Sequence, residues 1–178
     1  RKNIKKTRCI IYANEQNTLV PYPLFDEAKK ELYLKFNQPE ISEEPIRFNK
    51  MKHTLAANIF SFPEKMNNFT KRHWPTAKIF HATTVLIESL VINFKNVIDD
   101  NTVYINVWEK RFELINYKQG KLNFQNHFKY NTVEDFIYFL LATIEQLGLN
   151  PEETEVILMG AIDKHDPLFD IIYKYIRT

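Results

Sequence analysis

The chain has 178 residues, of which 44% are hydrophobic and 26% are charged, as is typical of a soluble globular protein. Its net charge of +2 excludes a general attraction to nucleic acid, and its apolar runs are far shorter than the roughly 20 residues of a membrane-spanning helix. Its three glycines, Gly120, Gly148 and Gly160, are widely separated, so the chain has no glycine-clustered loop of the kind that holds phosphates.

The first half of the chain mixes short strands with helices. Cys9–Ala13 is apolar and Thr18–Pro21 ends in a proline, so both are predicted to be extended. Apolar residues at helical spacing then predict a helix over 24–36. Its predicted buried stripe consists of Leu24, Phe25, Ala28, Leu32 and Phe36.

Further short elements follow up to a polar break. In order they are a loop at Asn37–Pro45, strands at Ile46–Met51 and Ala56–Phe62, a helix from Pro63 to about Phe69, a strand at Lys78–His81, and an apolar helix capped by Thr83 or Thr84. The polar sequence Asp99-Asp100-Asn101 then predicts a domain boundary. We therefore expect one subdomain over 1–98 and a second over 102–178.

The second half has a clearer pattern. Val103–Trp108, Phe112–Tyr117 and Leu122–Phe128 alternate with period two, which predicts an antiparallel meander. One strand, Val103–Trp108, is apolar on both faces, so it is either covered twice by helices or offers a partner surface. We expect coverage by the fold's own helices.

A helix, a strand and a second helix follow the meander. Thr132 and Asp135 have capping-box spacing, and Gly148 is expected to end that helix in a left-handed conformation. Glu155–Met159 is predicted to be a central strand buried on both faces, and Asp166 caps the final helix. The second half therefore reads β-β-β-α-β-α, and the whole chain reads as α/β with a mixed sheet.

This order of elements resembles the ribonuclease-H-like half of the actin-like ATPase fold. Several segments also resemble a family of uncharacterised bacterial proteins with that fold, classed as a domain of unknown function. The segments are Thr18–Pro21, Tyr33–Asn37, Glu134–Tyr138 and Leu149–Glu152. The chain is more distantly similar to the actin homologues of cell division and pilus assembly. The resemblance implies two similar subdomains, the first lacking its initial strands in this chain.

The resemblance also indicates where a nucleotide would bind. Members with activity carry an Asp-x-Gly phosphate loop in the first hairpin of the second subdomain, but the matching sequence, Ile105–Arg111, has neither aspartate nor glycine. The adenosine motif reads Leu158–Asp163 and keeps one glycine of a pair. The resemblance therefore assigns degenerate nucleotide-site positions to Asn106, Trp108, Gly160 and Asp163, and we expect no bound cofactor.

Other candidate sites have simpler explanations. Asp163, His165 and Asp166 could ligate a metal, but Asp166 is expected to cap a helix and the other two to be solvated, so we predict no metal site. Glu134 and Asp135 could act as paired carboxylates, but both lie in a first helical turn, where negative charge is stabilising.

No catalytic constellation emerges from the remaining residues. His73 and His81 have no metal-ligand spacing, and His53 and His127 are expected to stand alone on strands or loops. The serines lie in no nucleophile motif. The single Cys9 cannot form an intrachain disulfide, so a reducing cytoplasm is the simplest setting.

These features favour a non-catalytic actin-like-fold interaction or scaffold protein of a bacterial cytoplasm, with a protein partner and no membrane insertion. One alternative is a divergent ATPase whose phosphate loop lies mainly upstream of this chain. A second alternative is weak nucleic-acid binding, which is disfavoured because the charge elsewhere is balanced. It would rest on an N-terminal basic cluster: Arg1, Lys2, Lys5, Lys6 and Arg8.

Overall fold

The computed structural model describes residues 9–38, 44–94 and 99–176. The chain folds into two compact units, Arg1–Asn93 and Phe94–Thr178. Within the described ranges, no helix has both the length and the apolar character needed to cross a membrane. The predicted loop at 37–45 lies partly outside the described residues.

The described residues of the first unit form two small sheets and three α-helices. Its elements are β1 (Cys9–Tyr12), β2 (Asn17–Pro21), α1 (Lys30–Asn37), β3 (Ile46–Met51), β4 (Ala56–Ser61), α2 (Glu64–His73), β5 (Lys78–His81) and α3 (Ala82–Phe94). β2, β4 and β3 form an antiparallel sheet in that order, and β1 pairs with β5 in parallel. β4 is the central strand of its sheet and is buried along its whole length.

The predicted helix over 24–36 is wrong in its start and in its buried face. Two 3-10 turns, Tyr22–Leu24 and Glu27–Lys29, precede α1, because Pro23 and the Asp26 side chain, which accepts a hydrogen bond from the Ala28 N–H, set separate local turns. Leu34 is the buried residue of α1, and it packs with Val20 of β2 and Ile59 of β4.

The residues of the predicted stripe are largely exposed. Leu24, Leu32 and Phe36 are 69%, 63% and 86% exposed. Leu34 is buried because it packs on the sheet of β2, β4 and β3. It was not part of the predicted stripe.

The predicted cap of α3 is also wrong. The helix begins at Ala82, directly after β5, and Thr83 and Thr84 are buried within its first turn. The Nδ1 atom of His81 accepts a hydrogen bond from the Thr83 N–H at 3.2 Å. The imidazole of the preceding residue therefore performs the capping that the threonines were expected to supply.

The described residues of the second unit form one four-stranded sheet, and two helices pack on one of its faces. Its elements are β6 (Thr102–Trp108), β7 (Arg111–Lys118), β8 (Lys121–Lys129), α4 (Val133–Gln146), β9 (Glu155–Gly160) and α5 (Pro167–Tyr175). The strand order is β8-β7-β6-β9, antiparallel except for the parallel pair of β6 and β9. The predicted meander and the β-β-β-α-β-α order are confirmed.

Both ends of α4 have the predicted geometry. The Thr132 hydroxyl accepts a hydrogen bond from the Asp135 N–H, and the Asp135 carboxylate accepts from the Thr132 N–H. At the other end Gly148 has φ of +71°, and the N–H groups of Gly148 and Leu149 donate to the carbonyls of Glu145 and Ile144. These two bonds form a Schellman motif.

The core of the second unit lies between the sheet and α4 with α5. Phe112 of β7 and Phe136 of α4 are fully buried, with ring centroids 4.6 Å apart. Leu168 and Ile172 bring α5 into the same cluster. On the opposite face of β6, Tyr104 is 1% exposed and its ring packs edge-on against Tyr117 of β7, so this strand is buried on both faces. Helices α4 and α5 pack on the first face, and coverage of the second face by helices stays a prediction.

The two outer strands of this sheet differ from simple expectation. β9 was predicted to be central and buried on both faces. Among the described strands it instead neighbours β6 alone, so it forms one edge of the sheet. Its apolar residues are half-buried. β8 forms the opposite edge. There the Asn126 Oδ1 accepts a hydrogen bond from the His127 N–H at 2.9 Å, and Lys121 and Lys129 occupy the strand's two ends.

Candidate functional site

The predicted nucleotide-site positions gather around one end of the second unit's sheet. β6 and β9 are parallel neighbours, with Asn106 opposite Met159 and Val107 opposite Gly160. Ligands of open α/β sheets bind beside the carboxyl ends of such strands. The candidate site is therefore this sheet end, with Asn106 and Trp108 on β6, Gly160 ending β9 and Asp163 in the loop that follows.

The close approach of β9 to β6 explains why Gly160 is a glycine. Its φ is +88°, and a Cβ atom at this position would lie 2.3 Å from the Val107 carbonyl oxygen and 2.6 Å from the Asn106 Oδ1. The next residue, Ala161, donates its N–H to the same Val107 carbonyl at 2.8 Å. Strand packing alone thus requires glycine here, without any bound ligand.

The hairpin between β6 and β7 lacks the backbone shape of a phosphate loop. It closes with the two-residue turn Glu109-Lys110, and Trp108 pairs with Arg111. Along the described parts of the chain, positive φ occurs at Leu55, Gln119 and the three glycines, so neither turn residue adopts it. A concave array of N–H groups around a phosphate depends on such left-handed residues. This turn therefore presents no such array.

Two side chains contact Trp108 at this hairpin. The guanidinium carbon of Arg111 lies 4.9 Å from the centroid of the Trp108 ring, which is a cation–π distance. The Tyr130 hydroxyl donates to the Trp108 carbonyl at 2.8 Å. Burial raises the pKa of Tyr130, and the charges of Asp166 and Glu109 raise it further. Tyr130 is therefore a neutral donor that fixes the end of β6.

Asp163 makes its hydrogen bonds within its own loop. Its Oδ1 accepts the His165 N–H at 2.7 Å, and its carbonyl accepts the Asp166 N–H. The Asp166 carboxylate in turn accepts the Leu168 N–H at the start of α5. The predicted cap at Asp166 is confirmed, and no group of three or more potential metal ligands occurs among the described residues.

A polar row crosses the sheet beside this site, and it was missed by the sequence-based interpretation. The strand registers place Asn106, Glu113 and His127 side by side on β6, β7 and β8. Glu113 is fully buried, its Oε1 accepts a hydrogen bond from the Gln125 Nε2 at 2.9 Å, and the His127 Nε2 lies 3.8 Å from the same oxygen. A carboxylate and an imidazole at this separation form an ion pair when the imidazole is protonated.

The prediction that His53 and His127 stand alone is wrong for both. His127 lies beside Glu113, and the Nδ1 of His53 lies 2.9 Å from the Glu88 Oε2 of α3. Neither contact has a sequence signal of fixed spacing, because each joins residues from different elements. A strand register could have revealed the first, since both residues lie on the face that bears Asn106.

His81 of the first unit lies in a second polar cluster, which the sequence also did not reveal. The ring is 1% exposed, and its Nε2 lies 3.0 Å from the Asn14 Oδ1. The His81 N–H donates to the Asn49 Oδ1, and Asn49 also bonds the Thr84 hydroxyl and the Ile79 carbonyl. These bonds join the loop between β1 and β2 to β3, β5 and α3.

The paired carboxylates of α4 have a structural role. Glu134 and Asp135 lie in the first turn of α4, and Asp135 belongs to the capping box described above, as expected. Hydrogen bonds from the Asn131 and Thr132 N–H groups lower the pKa of Asp135. The basic cluster from Arg1 to Arg8 lies outside the described residues.

Comparison with known proteins gives the fold and the family. The chain matches the family model described as "Protein of unknown function (DUF3822)" over residues 5–178. No curated protein matches it. It is similar to a crystal structure of a Bacteroides thetaiotaomicron VPI-5482 protein with an actin-like ATPase fold and unknown function, solved at 1.85 Å resolution.

The structural match has 27% sequence identity and a TM-score of 0.85, and it covers 96% of this chain. The chain spans 66% of the length of that solved chain. The predicted α/β, actin-like ATPase fold is therefore confirmed. Because the family model matches nearly the whole sequence, the chain belongs to the DUF3822 family, whose function is unknown.

Proposed function

We propose that this chain is a non-catalytic interaction or scaffold protein of the bacterial cytoplasm that keeps the actin-like fold with a degenerate nucleotide site. The observation that carries the proposal is the β6–β7 hairpin. Its turn lacks left-handed residues, and the stacked side chains of Trp108 and Arg111 lie beside it. A phosphate would find no array of backbone N–H groups at this turn.

Two neighbouring positions support the same proposal. Gly160 is explained by its contact with the Val107 backbone, and Asp163 makes its hydrogen bonds within its own loop. Each has a structural role that needs no nucleotide. The fold alone does not carry an activity.

A thermal-shift titration with ATP and Mg²⁺ tests the proposal. A ligand at 100 times its Kd stabilises the folded state by about 2.7 kcal/mol, which raises the Tm of a chain of this size by roughly 5–10 °C. We expect no saturable shift with ATP, ADP or GTP. Saturable stabilisation that is lost in Asp163→Asn or Trp108→Ala would contradict the proposal and assign a nucleotide to this site.

A divergent ATP-binding protein is the second candidate, and one observation favours it. The chain spans 66% of the similar solved chain, so a counterpart of its remaining part could supply phosphate-binding groups. The same titration on a chain extended by any upstream sequence that its gene encodes distinguishes the two candidates. Stabilisation there, with none in the present chain, would support the second candidate.

A further inference from the structure

Helix α2 has its apolar side chains on the outside. Asn67, Thr70 and Trp74 follow each other at helical spacing on the inner side, where the Asn67 Oδ1 accepts a hydrogen bond from the Arg47 Nη2 and Thr70 is buried. Met66 and Phe69 are instead 42% and 54% exposed. The usual orientation of an amphipathic surface helix is therefore reversed.

The exposed apolar residues belong to an organised aromatic group. The ring centroid of Phe69 lies 4.4 Å from that of His73 and 5.7 Å from that of Trp74. These two ring contacts lie at the C-terminal end of α2, where Phe69 remains exposed on the outer side of the helix.

Basic residues surround this group. Lys65, Lys71 and Arg72 are exposed, and within the described ranges none of them takes part in an ion pair. Lys65 and Arg72 lie four residues before and three after Phe69, so they share its stripe of the helix. Glu64 is the single acidic residue of α2, and the Glu44 carboxylate from the segment before β3 accepts the Glu64 N–H at the start of the helix. Both carboxylates lie at the first turn, so the three basic residues leave the rest of the face with an excess of positive charge. The face is therefore positive as well as apolar.

We infer that the outer face of α2 docks on an anionic lipid surface, with Phe69 and Met66 at the headgroup level and the basic side chains among the headgroups. A short helix with this pairing of residues lies on a membrane without crossing it. Each basic residue near such a surface contributes about 1 kcal/mol. Two apolar side chains form a patch far smaller than the roughly 800 Å² that each partner buries in a stable protein interface, which favours lipid over protein.

Helix α1 provides an internal comparison. Leu32 and Phe36 are more exposed than any apolar residue of α2, at 63% and 86%. The charges around them balance, however: three lysines at 29, 30 and 35 are matched by Asp26, Glu27 and Glu31. If lipid binding depends on basic and apolar residues together, α2 should support it and α1 should not.

Co-sedimentation with vesicles tests the inference, independently of the proposed loss of nucleotide binding. The probes are phosphatidylcholine vesicles and vesicles in which about one-third of the lipid is phosphatidylglycerol. We expect binding to the anionic vesicles alone, weakening as salt rises. Phe69→Ser should weaken it about tenfold. Lys65→Gln with Arg72→Gln should weaken it about 30-fold.

The control is the matched pair Lys35→Gln with Phe36→Ser on α1, which should change binding less than about twofold. All of the substituted side chains are exposed, so unchanged melting temperatures will show that each variant is folded. The inference is overturned if the chain does not sediment with anionic vesicles, if the α1 variant loses binding while the α2 variants keep it, or if oligouridylate displaces the vesicles at equal phosphate concentration. The last result would assign the face to single-stranded nucleic acid.

Discussion

The Oε2 atom of Glu88 on α3 lies 2.9 Å from the Nδ1 atom of His53 in the β3–β4 turn. The same carboxylate accepts hydrogen bonds from the N–H groups of His53 and Thr54 and from the Thr54 hydroxyl. One side chain thereby fastens a whole turn to the helix.

Replacing this carboxylate should destabilise the first unit. Glu88→Gln removes the charge and one acceptor oxygen, and we expect the free energy of unfolding to fall by about 1–2 kcal/mol. Urea unfolding gives the value. Glu145→Gln, at an exposed site of α4, is the matched control and should change stability by less than about 0.5 kcal/mol. Equal effects of the two substitutions would contradict the fastening role.

The pH dependence of the same contact has a definite sign. Burial raises the pKa of Glu88, but the hydrogen bonds from His53 and Thr54 outweigh burial and leave the pKa below its ordinary value. A lowered folded-state pKa gives stability that is present above the unfolded pKa of about 4.3 and is lost as pH falls through the folded value. We expect the wild-type chain to lose more stability than Glu88→Gln in acid unfolding below about pH 5.

Gly160 should be the glycine least tolerant of substitution. Gly160→Ala combines a positive φ with a Cβ that overlaps the Val107 backbone, and we expect a loss of about 3 kcal/mol or more. Gly120 and Gly148 have φ of +70° and +71° and nothing within 4 Å of an added Cβ. Replacing either one by alanine should lower the free energy of unfolding by about 1 kcal/mol. Gly148→Asn should lower it by less, because asparagine adopts the left-handed conformation more readily. Urea midpoints that ranked Gly148→Ala or Gly120→Ala as more damaging would refute this order.

Gly120 is constrained by the hairpin turn that it occupies. Gly120 stands in the two-residue hairpin between β7 and β8, where Gln119 and Gly120 both have positive φ. Such a type I′ turn constrains its glycine as strongly as a helix C-terminus does. Gly120→Ala and Gly148→Ala should therefore destabilise the chain to a similar extent.

Removing the imidazole of His81 should loosen the junction of β5 and α3. His81→Ala leaves the buried Thr83 N–H without its acceptor and also opens a cavity, so we expect a loss of about 2–4 kcal/mol. His81→Asn should restore part of the loss, because an asparagine oxygen caps helices well. His165→Ala, in an exposed loop, is the control. A His81→Asn variant no better than His81→Ala would argue against the capping role.

The Asp135 carboxylate should titrate below an ordinary aspartate. Hydrogen bonds from the Asn131 and Thr132 N–H groups lower its pKa. Its contribution to stability is therefore present above the unfolded pKa of about 3.9 and is lost as pH falls through the folded value. Carbon-13 NMR of the side-chain carboxyl measures the titration directly. Thr132→Ala removes the partner hydroxyl of the capping box and should move the Asp135 pKa upward. A pKa at or above that of a model peptide would contradict the capping box.

The features that sequence predicted well are local ones. The capping box of Thr132 and Asp135 and the left-handed Gly148 depend on residues a few positions apart, so their spacing alone determines the geometry. The meander likewise follows from strands joined by two-residue turns. Its register, however, also decides that Glu113 meets His127, and a one-residue uncertainty in register is enough to hide that contact.

The features that sequence missed depend on tertiary packing. Leu34 is buried because the sheet of β2, β4 and β3 lies against that side of α1, while the periodic Leu32 and Phe36 face outward. Apolar spacing defines a stripe on a helix but does not say which element will cover it. The same limit applies to β9, whose apolar sequence predicted a central strand. It also applies to the start of α3, where Thr83 or Thr84 was predicted to cap the helix and the buried His81 ring accepts the Thr83 N–H instead.

The bond between Asn126 and the His127 backbone has a consequence for how this protein behaves at high concentration. A nine-residue strand at a sheet margin is a template on which a second molecule can add its own strand. In β8 one main-chain donor is already occupied by an amide from the same strand, and lysines at both ends would repel an antiparallel copy. Three side chains therefore oppose aggregation through this edge strand: Asn126, Lys121 and Lys129.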